Sequence, residues 1–331
     1  MFKIPALFSS RLRVSLALQG GGSFGAFTWG VLDRLLEEPN VEFDTISGAS
    51  AGAVNAVLVA SGLANGGREV AREKLERFWS KASAMAPSAP LARITGMAGD
   101  FFRTSLSPYQ FNPFDLNPLR TLLSAEVDFE AINSHSPVHL MISATRVSDG
   151  QMQIFRSEDL DVDRLLASTC LPMLHHTVYV DGEAYWDGGY VANPPLLELI
   201  TESKTHRVLV VQITPMRRAA LPKTPREIMS RLDQISFNSS LMREIESIEM
   251  LRERALTEFG SWSRTCFRMR RLQMDRISAE DSVPGLDEAS ATDLDWSFLT
   301  MLRDSGRDVA DAWLAKHMAH PREVLSTEND A

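Results

Sequence analysis

Ile46-Ser47-Gly48-Ala49-Ser50-Ala51-Gly52-Ala53-Val54-Asn55-Ala56 reads as the end of a strand, a sharp turn and the start of a helix. The turn has the form Gly-x-Ser-x-Gly, with Ser50 at its apex between Gly48 and Gly52. A serine pushed out on such a turn sits where the backbone is crowded, so its neighbours must lack bulk. Ala49 and Ala51 are the next smallest choice after glycine. Ala51 to Ala60 is apolar nearly all round, which predicts a buried helix. The N-terminus of that helix directs partial positive charge at Ser50, which suits a hydroxyl that must lose a proton. Ser50 is therefore a candidate nucleophile for acyl hydrolysis. A small-residue helix start capped by serine satisfies the same pentapeptide, so the surrounding chain has to decide.

Upstream, Val14 to Leu18 is a short apolar run of the kind that forms a buried parallel strand. It enters Gln19-Gly20-Gly21-Gly22-Ser23-Phe24-Gly25, then a helical pattern with Val31, Leu32, Leu35 and Leu36 on one face, ended by Pro39 and Asn40. Phe43 to Ser47 is the next strand. Strand, loop, helix, strand, turn and helix in this order predict a parallel sheet with crossover helices. The glycine loop has three readings. Gly20, Gly22 and Gly25 fit a dinucleotide-binding loop, with Asp44 placed for a ribose, which would make the chain an oxidoreductase. Successive N–H groups at a helix N-terminus also form a nest for an oxyanion. A bare tight turn is the third. The serine turn one strand later favours the second reading, because acyl transfer needs nucleophile and oxyanion donors side by side.

The chain has 331 residues, enough for one large α/β domain or two smaller ones. Its net charge of −9 argues against nucleic acid as a partner and against constitutive docking on an anionic membrane. Cys170 and Cys266 have no metal-ligand spacing around them and imply no disulfide framework, which fits a reducing, cytoplasmic setting. Arg11 and Arg13 interrupt the N-terminal apolar run, so no signal peptide is expected, and no run of about 18 apolar residues could span a bilayer. Neither a metal nor a cofactor is expected.

Further along, 82–118 is rich in Pro, Ser, Gly and Ala with scattered large apolar residues, among them Phe101 and Phe102. It reads as a lid or acyl-chain pocket wall, or equally as a cap packed on the core. Val138 to Val147 and Gln151 to Phe155 form a hairpin about Asp149-Gly150, and a second hairpin turns at Asp181-Gly182. Its return strand delivers the chain to Asp187-Gly188-Gly189. Arg207 to Ile213 is another buried strand, and Thr224 to Phe259 a long amphipathic helix with stripes Ile228, Leu232, Ile235 and Leu241, Ile245, Ile248. Thr265 to Met274 reads as an edge strand carrying Arg268, Arg270 and Arg271, and Leu299, Leu302, Gly306, Val309 and Trp313 as a final helical stripe.

A serine hydroxyl needs a base. None of His135, His139, His175, His176, His206, His317 and His320 follows a strand end with an acid ahead of it, as a Ser-His-Asp arrangement requires. Asp187 is the better candidate. It closes a strand, two glycines let the backbone turn after it, and unlike Asp149 and Asp181 it does not link hairpin strands. Its ordinary pKa of about 3.9 makes it a weak base. A dry pocket that raises the pKa beside Ser50 would let it serve.

Three motifs thus stand in order: the Gly20–Gly25 loop, Gly48-Ala49-Ser50-Ala51-Gly52 and Asp187-Gly188-Gly189. Together with Ala167-Ser168-Thr169-Cys170-Leu171-Pro172, they resemble the patatin-like phospholipase family over roughly 14–200. The resemblance implies an α/β fold, a mainly parallel sheet sandwiched by helices; beyond it, 201–331 reads as a C-terminal strand and helical extension packed on the same core. It implies a Ser50–Asp187 dyad without histidine. It also implies an oxyanion hole from Gly20, Gly21, Gly22, Ser23 and Gly25, a lipid or acyl-ester substrate, and transient contact with a membrane surface. A non-catalytic lipid-binding module is the remaining alternative. The chain departs from the family at Phe24, where Arg or Lys is common; backbone donors survive that change, whereas a charge contact to a head group does not.

Overall fold

The apolar run Val14 to Leu18 lies inside β1 (Leu12–Leu18) and is buried throughout. In the computed structural model, which describes residues 11–85, 107–112, 115–218, 220–257, 264–286 and 290–318, β1 sits within an eight-stranded sheet. It is followed by α1 (Gly25–Glu37), β2 (Val41–Gly48), α2 (Ala51–Asn65) and α3 (Arg68–Ala84). The short helices α4 (Pro108–Phe111), α5 (Pro118–Glu126) and α6 (Phe129–His135) lead to β3 (His139–Arg146) and β4 (Met152–Arg156). Next come α7 (Val162–Ser168), β5 (Val178–Val180), β6 (Glu183–Asp187), α8 (Leu196–Glu202) and β7 (Arg207–Gln212). The chain continues through α9 (Pro225–Thr257), α10 (Arg264–Arg271), β8 (Gln273–Ser278) and α11 (Trp296–Met318).

The strand order is β5-β6-β3-β2-β1-β7-β8, with β4 also paired to β3. The pairs β1–β2, β1–β7, β2–β3 and β7–β8 are parallel; β3–β4, β3–β6 and β5–β6 are antiparallel. Helices cover both faces, so the central strands read as continuous apolar runs. The two-residue period of β1 divides the layers. Val14, Leu16 and Leu18 face α1, α2 and α11, while Ala17 faces α8, α9 and α10. Both hairpins fold at their expected turns, and Asp181 and Gly182 take the positive φ values of 52° and 84° that a two-residue hairpin turn uses. Among the described residues no helix is long and apolar enough to cross a membrane.

Two expectations from sequence are corrected. Thr265 to Met274 is not an edge strand: Arg264–Arg271 is helical, and the edge strand is β8, parallel to β7. The alternation of Arg268 and Arg270 imitates a strand, yet Met269 and Leu272, three apart, are the residues buried against α9. Along α9 the second stripe is buried, but Ile228, Leu232 and Ile235 stay 43%, 54% and 51% exposed. Gln234, Phe237 and Asn238 turn inward there instead. The lid reading of 82–118, with Phe101 and Phe102, falls largely outside the described residues.

The extension is anchored by close helix contact. A Cβ on Gly306 of α11 would lie 2.2 Å from the Phe27 carbonyl of α1, and one on Gly30 would lie 1.9 Å from the Arg303 carbonyl. Backbone cannot yield cheaply there, so Gly306→Ala should lower stability by about 2 kcal/mol, read as a drop in the urea midpoint. An unchanged midpoint would show that α11 can move off α1 at little cost.

Candidate active site

Ser50 stands between the end of β2 and the start of α2 with φ 50° and ψ −125°. A non-glycine residue there is strained, and surrounding contacts have to impose it. They come from three directions. The Ser50 N–H donates to the carbonyl and hydroxyl of Ser168, at 3.2 and 3.1 Å. A Cβ at Gly52 would meet the Leu18 carbonyl at 2.1 Å, so β1 and α2 approach as glycine alone permits. A Cβ at Gly20 would meet the Ser50 Cβ at 2.6 Å, which puts the glycine loop directly against the serine. Gly48 is equally enclosed, with Ala53 N 2.7 Å from its would-be Cβ.

Asp187 ends β6, where its residue pair on β3 is Ala144. Its side chain has no exposed surface. Thr145 Oγ1 donates to its carbonyl at 2.7 Å, and its own N–H donates to the Cys170 carbonyl at 2.8 Å, so the backbone is fixed on both sides. Oδ1 accepts the Gly189 N–H at 2.7 Å, while Oδ2 is without a hydrogen-bond partner among the described residues. Burial pushes the carboxyl pKa up to about 7; the Gly189 N–H and the Ser50 hydroxyl oppose the shift. The hydroxyl is thus close enough to bias Asp187 without closing a direct hydrogen bond to Oδ2. No histidine contributes to that balance. Asp149 and Asp181, the other Asp-Gly pairs, are exposed partners of Arg146 and Arg164. On the far side of the aspartate turn, a Cβ at Gly189 would strike the Phe237 ring at 2.5 Å, so Phe237 walls the site from α9.

Within the glycine loop the N–H groups are not equivalent. Gly20 N–H donates to Asn193 Oδ1 at 2.7 Å, Ser23 N–H to the Ala291 carbonyl at 2.8 Å, and Gly25 N–H to carbonyls of the turn beginning α1. Gly21 and Gly22 are left with unpartnered N–H groups among the described residues. Phe24 is 1% exposed and meets Phe298 of α11 edge to face at 6.4 Å, so this loop position is part of the core. Asp44 does not offer a ribose site: its carboxylate accepts from Ser203 Oγ and Lys204 N–H and pairs with Arg13 at 2.6 Å. Asn193, Ser168 and Phe237 went unmarked as functional residues in the sequence. Only Ser168 belonged to a recognisable block.

A family model described as patatin-like phospholipase matches residues 16–200. No curated protein matches the sequence. Among solved structures, VipD from Legionella pneumophila aligns at 15% identity and TM-score 0.40, over 93% of this chain and 67% of that one. The type III effector ExoU aligns at 14% identity and TM-score 0.32, over 94% of this chain and 54% of its own. ExoU in the ExoU–SpcU complex of Pseudomonas aeruginosa aligns at 16% and 0.31, over 72% and 52%. The chain therefore spans about two thirds of VipD and about half of ExoU.

Burying Asp187 as a carboxylate has a stability consequence. Its folded pKa is raised, so the cost is absent below about pH 4 and complete above about pH 7, where it amounts to roughly 4 kcal/mol. Asp187→Asn keeps an acceptor for Gly189 and removes the charge. The variant should be more stable than the wild type by about 2–4 kcal/mol near pH 8, with the gap closing toward pH 4, in urea unfolding followed across pH. Equal stability at both ends would mean that Asp187 is not buried as a charge.

Proposed function

The chain belongs to the patatin-like phospholipase family, and on that premise we propose that it hydrolyses carboxylic esters of lipids through a Ser50–Asp187 dyad. The observation that carries the reading is the state of Asp187: a carboxylate with no exposed surface and one oxygen unpartnered among the described residues, whose pKa is biased by the Ser50 hydroxyl. A base poised near neutrality is the more effective for proton transfer.

In this scheme Ser50 Oγ attacks the ester carbonyl carbon as its proton passes to Asp187 Oδ2. The developing oxyanion accepts from the Gly21 and Gly22 N–H groups, each contributing on the order of 3 kcal/mol to barrier lowering. The tetrahedral intermediate collapses, the C–O bond to the alcohol breaks, and the alcohol takes the proton from Asp187. Water then attacks the acyl-enzyme, Asp187 accepts its proton, and the carboxylic acid leaves as Ser50 Oγ regains its hydrogen. The strained turn supports the first step by holding the hydroxyl forward in the ground state, so little reorganisation is required when the substrate arrives. Substrate acyl chains would be drawn from a lipid surface by transient contact.

Ser50→Ala and Asp187→Asn should each reduce turnover of a p-nitrophenyl acyl ester by at least about 10³-fold while circular dichroism stays native. Because the acting form of Asp187 is the carboxylate, wild-type kcat/KM should rise with pH through about 7. Either variant turning over at the wild-type rate rules out the role assigned to that residue, and an acid limb near pH 4 rules out a buried base.

A further inference from the structure

Asn193 has no exposed surface and spans two parts of the fold. Its Oδ1 accepts the Gly20 N–H at 2.7 Å. Its Nδ2 donates to the Gly20 carbonyl at 3.3 Å and to the Phe237 carbonyl of α9 at 3.0 Å. The amide can stand only this way round, because one side faces a donor and the other faces two acceptors. Thr214 Oγ1 adds a second donor to the Gly20 carbonyl, at 2.9 Å. The Gly20 peptide groups are thus gripped on both their N–H and C=O sides.

That grip reaches the reaction through peptide geometry. A trans peptide is planar, so the C=O of Gly20 and the N–H of Gly21 point in opposite directions from one rigid plane. Holding the carbonyl toward Asn193 and Thr214 turns the Gly21 N–H away from them. Gly21 N–H is one of the two loop donors with no partner of its own. The segment bearing Asn193 is itself held from α9: Glu244 accepts the Leu196 and Leu197 N–H groups at 2.9 and 2.8 Å. Beside it, Gln19 Oε1 accepts the Ile213 and Thr214 N–H groups, each at 2.8 Å, and its Nε2 reaches Asn238 Oδ1 at 3.0 Å. Among the described residues no other side chain bonds both faces of Gly20.

We propose that Asn193 and Thr214 together position the oxyanion loop: by fixing the Gly20–Gly21 peptide plane, Asn193 against α9 and Thr214 on the same carbonyl, they aim the Gly21 N–H at the developing oxyanion. The role rests on the ester-hydrolase reading above. It also explains why the polar residues of α9 turn inward: the helix is the backstop of the loop.

The test uses the full chain and a p-nitrophenyl acyl ester, well below each variant's melting temperature. Asn193→Ala should lower kcat by about 10²-fold with KM nearly unchanged, and leave the acid limb of the pH profile in place, because the base is untouched. Thr214→Val, a near-isosteric change, should lower kcat by about 5- to 10-fold, again without moving KM. The double variant should lose less than the product of the two, since both act on one carbonyl. A second readout is the rate ratio between the oxygen ester and its thionoester. A loop that donates to the oxyanion discriminates against sulfur, so the ratio should shrink in both variants. Wild-type kcat and an unchanged ratio in Thr214→Val overturn the proposal, including the case in which Asn193→Ala fails to fold. Ser50→Ala in the same assay reads the parent account separately. A dead Ser50→Ala with wild-type-like Asn193 and Thr214 variants overturns only the positioning role, whereas an active Ser50→Ala overturns both.

Discussion

A carboxylate sealed from water is the constraint around which this molecule is arranged. Asp187 has no exposed surface, and a charge placed there costs several kcal/mol unless something compensates. The compensation is partial: one N–H from Gly189 and the nearby Ser50 hydroxyl. The fold tolerates the remainder because the antiparallel β3–β6 pairing, Thr145 and the Cys170 carbonyl fix the backbone of Asp187. Instability stored in this way is what a weak base needs in order to act near neutral pH. The same burial that lowers stability above neutrality raises the basicity of Asp187, which is what the proposed proton transfer from Ser50 requires.

The extension beyond residue 200 completes this environment. Phe237 of α9 covers the aspartate turn, the Phe237 carbonyl holds Asn193, and Phe298 of α11 covers Phe24. The Ala291 carbonyl takes the Ser23 N–H, so only part of the glycine loop keeps unpartnered N–H groups among the described residues. One core runs from Val14 through Trp313 and Leu314. The interlocked contacts of Gly30 with Arg303 and Gly306 with Phe27 keep α11 on that core. Segments on both sides of residue 200 therefore share one packing problem.

Much of this was legible in the sequence because the chemistry leaves few choices of residue. A strained serine turn needs glycine on both sides, and a buried parallel strand needs an unbroken apolar run, so β1, β2, the Ser50 turn and the Asp187 strand end could be read locally. The parts that escaped are set by distant partners. Which loop N–H groups stay open depends on Asn193 and Ala291, more than 170 positions away at the nearest. Toward its N-terminal half α9 turns Gln234 and Asn238 inward, where Asn238 meets amides and a carbonyl beside the loop, and periodicity counts only apolar residues. The arginine alternation around Arg268 misled because two periods fit a short segment equally well, and the burial of Met269 and Leu272 decides between them. Gly30 and Gly306 each look like a weak point in a helix until the partner helix is seen to touch it.

The most direct measurement of the central claim is reaction with a fluorophosphonate, followed by peptide mapping of the adduct across pH. The account predicts one adduct, on Ser50, forming faster as pH rises through about 7 and much more slowly when Asp187 is asparagine. An adduct on another residue, no adduct at all, or a rate indifferent to Asp187 would contradict it.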